Sequence, residues 1–125
     1  MNWIRQERRL AIYLRDGLAC VWCGQAIEDG TRLTLDHLTP HSRGGSNAAT
    51  NLVTASHRCN SSRGARTVKV FAAAVSVYLD HGVTALAILA HLTVSRHRAI
   101  DVSAAKTIIA RRGSFVAACQ KRGKS

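Results

Sequence analysis

The chain has 125 residues, with 18 Lys and Arg against 7 Asp and Glu, a net charge of +11 and a pI near 10.8. That length fits one compact domain, or a small module with an extension. The lopsided charge makes a polyanion, nucleic acid first, the natural partner. An anionic membrane is a poorer match, because no long basic amphipathic segment carries Trp or Phe on its apolar face.

In chain order, Trp3 to Asp16 reads as a helix with Ile4, Leu10, Tyr13 and Leu14 on a rough apolar face and Gly17 as its stop. Arg5, Arg8, Arg9 and Arg15 decorate it, as a solvated face or along a phosphate backbone. Its mixed charges lack the apolar run of a signal peptide. Val83 to Ser95, a stretch of the C-terminal half without Asp, Glu, Lys or Arg, is too short to span a bilayer. The expected location is cytoplasmic, with cysteines reduced rather than paired.

Cys20-Val21-Trp22-Cys23-Gly24 is a knuckle: two thiolates two residues apart can turn to one metal, and Gly24 permits the tight backbone. Asp29-Gly30 signals a turn, and Thr31 to His37 alternates as a strand. Asp36 and His37 end that strand on opposite sides. Pro40 to Ser46 is a loop by composition, and Ser46 or Asn47 can cap a short turn leading to Asn51-Leu52-Val53. A helix is expected from about Ala55 to Arg63, with Ser56 and Asn60 on one face.

After Gly64 the character changes. Helices are expected after caps at Thr67, Thr84, Ser103 and Ser114, with stops near Gly82 and Gly113. Residues 67–125 hold nine Lys and Arg against two acids, and 1–66 hold nine against five. Leu89 to Ile100 has imperfect spacing for a recognition helix, so the preferred reading is a buttress with a basic outer face. Cys119 reads as a small apolar filler.

A carboxylate directly before a histidine, followed by a carboxamide after a cysteine, is a kit suited to cutting phosphodiesters with one divalent metal. The ordered set Cys20-x-x-Cys23, Leu35-Asp36-His37-Leu38-Thr39-Pro40, Ser42-Arg43-Gly44-Gly45, Asn51-Leu52-Val53, Cys59-Asn60 and Arg63-Gly64 resembles the HNH endonuclease family of ββα-metal type. The resemblance covers roughly Arg8 to Arg66. It implies an α+β fold: a ββα-metal core with an N-terminal helix and a C-terminal all-helical extension, divided as a nuclease module with zinc knuckle over 1–66 and a basic helical part over 67–125.

By matching position, the resemblance implies His37 as general base, Asp36 and Asn60 as ligands of the catalytic ion, and Asn51 as the brace of the histidine loop. A neutral imidazole can take a proton from water, and carboxylate plus carboxamide oxygens suit Mg²⁺ or Mn²⁺. The expected substrate is DNA, double-stranded, nicked or cut with little sequence preference. Arg43, Arg58, Arg63 and Arg66 are the expected phosphate contacts. Small size without a clear specificity domain fits association with a phage or mobile element.

The zinc knuckle departs from the family pattern, because Ser56 stands where the second Cys-x-x-Cys would begin. Cys20, Cys23 and Cys59 with His57 make one acceptable zinc site. Three cysteines with a borrowed ligand such as His81, or packing in place of zinc, are the others. Two further functions stay open: a zinc-stabilised nucleic-acid-binding module whose nuclease centre is inactive or needs a partner, and an RNA-directed nuclease.

Overall fold

A computed structural model describes residues 3–79 and 82–120. Among them run α1 (Gln6–Arg15), β1 (Leu33–His37), β2 (Leu52–Ser56), α2 (His57–Arg63), α3 (Val68–Leu79), α4 (Ala85–His97), α5 (Val102–Arg112) and α6 (Phe115–Ala118). The two strands pair antiparallel, from Leu33 opposite Ser56 to His37 opposite Leu52. The fold is α+β, an antiparallel ββα unit preceded by one helix and followed by four.

A two-stranded sheet is marginal alone, so both of its faces must be covered. Side chains alternate along a strand. Leu35 and Leu52 accordingly join Leu10, Ile12 and Tyr13 of α1 and Ala105 of α5 in one buried cluster. Val53 and Ala55 point into the other, with Cys20 and Trp22 of the knuckle, Phe71 and Val75 of α3, and Ile88 and Leu92 of α4. Both clusters thus draw residues from before and after residue 66.

Two expectations shift, and one alternative is removed. Ala55 pairs with Thr34 in the sheet, so the helix expected from Ala55 starts at His57, with the Ser56 hydroxyl accepting the Cys59 N–H at 3.0 Å. The cap of α5 is Asp101, whose Oδ1 accepts from Ala104 N, and Ser103 lies inside the helix. Thr93 to Ser95 sit within the unbroken α4, which rules out a turn before a recognition helix there. Thr84 and Ser114 cap as expected.

Arg15 belongs to the interior, not to a solvated face. It pairs with Asp16 at 2.7 Å and donates to the carbonyls of Ala49 and Leu52, while Asp16 accepts the Thr54 N–H at 2.8 Å. This buried pair fixes the end of α1 to the start of β2. No helix among the described residues is long and apolar enough to cross a membrane.

Candidate active site and metal centre

Asp36 and His37 end β1 on opposite faces, as a strand dictates. Asp36 is 4% exposed. Its Oδ2 accepts the Trp22 Nε1–H at 3.0 Å, and its Oδ1 is paired with Arg63 at 2.5 Å. Burial pushes its carboxyl above the ordinary carboxylate value, while the Arg63 charge and the Trp22 and Arg63 hydrogen bonds pull the other way.

Arg63 is 2% exposed, which corrects its assignment as a phosphate contact. Besides Asp36, it donates to the carbonyls of His37, Leu38 and Arg66 at 3.0, 2.7 and 3.0 Å, and its guanidinium lies over the Trp22 ring. Four hydrogen bonds from one planar fork leave little for a ligand. Arg63 fastens the end of α2 to the end of β1.

His37 has a different setting. Its Nε2 meets Asn47 Oδ1 at 2.8 Å, and its ring lies against Trp3 at 4.8 Å and His41 at 5.4 Å between centroids. Asn47 is held in turn by its own carbonyl, which accepts from Arg8 at 3.0 Å. The loop between the strands is closed by Asn51: its Oδ1 accepts the Thr39 N–H at 2.9 Å, and its Nδ2 donates to the carbonyls of Thr39 and Ser46 at 3.0 and 2.8 Å. The same closure explains Gly45, where a Cβ would collide with the Thr39 carbonyl.

Asn60, on α2, donates its Nδ2 to Thr34 Oγ1 at 2.9 Å and to the Leu35 carbonyl at 3.2 Å. Its Oδ1, the atom a cation would use, has no partner among the described residues. Asp36 stands two residues beyond Thr34 on the same strand face; no hydrogen bond joins it to Asn60 among the described residues.

The sulfurs of Cys20, Cys23 and Cys59 lie within 4.8 Å of one another. The knuckle is formed by Gly24 N–H donating to the Cys20 carbonyl at 2.9 Å, with Gly24 at φ +80°, a conformation that glycine adopts without strain. Cys59 arrives from the first turn of α2. The thiols of Cys20 and Cys59 hydrogen-bond to Cys23 and pull it down to about 2, while the same contacts push Cys59 up. His57 is exposed and stands outside the cluster, which corrects its place as fourth ligand. His81 lies outside the described residues.

Residues 20–75 match the family described as HNH endonuclease. This segment is an HNH-family domain. It spans the knuckle, both strands, α2 and the first turns of α3, somewhat under half of the chain. Neither a curated protein nor a solved structure matches the chain.

Within the HNH domain the remaining arginines do not ring one cleft. Arg43 is exposed at the turn after His41, on the histidine loop. Arg58 and Arg66 lie over Tyr78 and Phe71, at 5.2 and 5.1 Å, and line a cavity of about 270 Å³ with Cys23 and Cys59. Cys119 packs against the α1 cluster as an apolar filler, its thiol pushed up to about 11 by burial. Asn47 and Trp3 are the site residues that sequence reasoning misses. Nothing local marks them, since their contacts with His37 depend on the path of the loop and of the N-terminal segment.

Proposed function

We propose that this HNH domain is a metal-dependent endonuclease that hydrolyses DNA phosphodiesters, with His37 as general base. The observation that carries it is the pinning of His37. With Nε2–H donated to Asn47, the imidazole is held as the tautomer whose Nδ1, unengaged among the described residues, can accept a proton from water. That proton moves to Nδ1, the hydroxide attacks phosphorus in line, and the bond to the 3′ oxygen breaks. Asn51 keeps the loop, and therefore Asn47, in place.

Asp36 and Asn60 are the residues that would hold Mg²⁺ or Mn²⁺. The donor set fits an oxygen-loving ion: Asn60 Oδ1 is unengaged among the described residues, and each Asp36 oxygen keeps a lone pair beyond its bond to Trp22 or Arg63. Such an ion, when bound, stabilises the charge that develops on the phosphate. Cys20, Cys23 and Cys59 would hold a structural Zn²⁺ whose binding is coupled to the fold of α2. The net charge of +11 supports DNA as the polyanion, with Arg43 as a phosphate contact beside the base.

The engagement of both Asp36 oxygens favours a second reading, a zinc-stabilised nucleic-acid-binding module without cleavage of its own. Supercoiled plasmid incubated with Mg²⁺, Mn²⁺ or EDTA decides between them. Metal-dependent nicked and linear forms are expected; DNA binding without cleavage under any divalent ion would give the second reading its place.

A further inference from the structure

Three sulfurs supply three corners of a tetrahedral zinc site, and structural zinc sites are closed by a fourth protein ligand. Ser56 stands three residues before Cys59, where a second Cys-x-x-Cys would start. It is 2% exposed, and its hydroxyl lies 4.0 Å from Cys23 Sγ while accepting the Cys59 N–H at 3.0 Å. A hydroxyl oxygen carries two acceptor lone pairs. Capping α2 uses one of them. The 4.0 Å contact with Cys23 Sγ, in which either atom can donate, sets the hydroxyl beside that sulfur, where the second lone pair can turn to an ion in place of the thiol proton.

The histidines nearby fit less well. His57 is exposed and outside the cluster, and His91 of α4 lines a cavity of about 210 Å³ with Cys20 and Cys23 without coming within 4.8 Å of all three sulfurs. Resting on the reading that the cysteine cluster holds zinc, we propose that Ser56 Oγ is the fourth donor, making a three-thiolate, one-hydroxyl site. The substitution has a consequence. A neutral hydroxyl is a harder and weaker donor to Zn²⁺ than a thiolate, so the site releases its ion more readily than a four-thiolate knuckle. Because the same serine caps α2, ion release is felt by the helix that carries Asn60 and Arg63.

The test is titration of the full chain with Co²⁺, followed by visible and near-ultraviolet absorption, in the wild type, Ser56→Cys, Ser56→Ala and His91→Gln. A sulfur-to-cobalt charge-transfer band at one ion per chain establishes the cluster itself. Ser56→Cys then raises that band by about one third, from three thiolates to four, and tightens the ion by roughly tenfold or more. Ser56→Cys adds a fourth thiolate whatever the serine itself does, so it tests that this position reaches the ion. Ser56→Ala separates ligation from capping, because a serine that only caps the helix leaves the ligand-field bands unchanged. Ser56→Ala is expected to shift the ligand-field bands and weaken the ion roughly tenfold, while His91→Gln stays within about twofold. An unchanged band and equal or weaker binding in Ser56→Cys would overturn the assignment, as would an unchanged spectrum in Ser56→Ala or loss of binding in His91→Gln. Absence of any thiolate band in the wild type would overturn the cluster reading and this proposal with it.

Discussion

The Arg63 clasp makes a strong demand on stability. In Arg63→Ala the Asp36 carboxylate stays buried with only the Trp22 N–H as partner, and the carbonyls of His37, Leu38 and Arg66 lose their donor. The side chains of the pair are 2% and 5% exposed, so solvent does not replace the missing charge. Removing one member of such a pair costs about 3–5 kcal/mol, a large part of the about 5–15 kcal/mol that holds a domain together. Urea unfolding of the zinc-loaded protein, without Mg²⁺ or Mn²⁺, measures it. Arg63→Met keeps most of the apolar stem, and combined with Asp36→Asn it should lose less than the two single changes together, by about 0.5–3 kcal/mol.

The pH dependence has a definite sign. Burial raises the folded Asp36 carboxyl above its unfolded value. Its stabilising contribution is therefore complete below the unfolded value and is lost as pH rises through the folded one. Without Arg63 the carboxyl rises further, so the deficit of Arg63→Ala should be greatest near neutrality and shrink as pH falls into the range where carboxyls take up protons. A loss below about 1 kcal/mol, the scale of an exposed pair, or a deficit that does not shrink in acid, would refute the reasoning.

Other consequences are equally direct. Asn47→Ala should lower kcat for plasmid nicking by about 10²-fold with KM little changed, and ¹⁵N NMR of His37 should show a mixture of neutral tautomers where the wild type has its proton on Nε2. Gly45→Ala should destabilise the loop by about 1–3 kcal/mol in thermal unfolding, since the Thr39 carbonyl must move to admit the methyl group. Removing zinc with a strong chelator should unfold α2 and lose far-ultraviolet helix signal, restored on adding Zn²⁺; unchanged ellipticity would break the link between cluster and helix.

The parts of the site that can be read from sequence are those whose order along the chain is their meaning. Cys20-x-x-Cys23, Asp36-His37, Asn51 and Cys59-Asn60 fall on the knuckle, the end of β1, the entrance to β2 and the start of α2. Asn51 closes the loop through bonds that stay within the loop it bounds. Arg63 was misleading because burial is a tertiary property: a lone arginine before Gly64 looks like surface until Asp36, 27 residues away, is seen beneath it. Arg15 hides for the same reason, paired with its neighbour and facing β2. The boundary between β2 and α2 shifted because Ala55 favours a helix by propensity, and the pairing of Ala55 and Ser56 with Thr34 and Leu33 overrides it.

The central claim is that His37 takes the proton from the attacking water. The most direct test compares wild type and His37→Ala for conversion of supercoiled plasmid to nicked and linear forms, both zinc-loaded and of matched circular dichroism, with Mg²⁺, Mn²⁺ or EDTA. The account predicts metal-dependent cleavage by the wild type that falls by about 10²–10⁴-fold in the variant, with DNA binding retained. Cleavage by His37→Ala at the wild-type rate would contradict it.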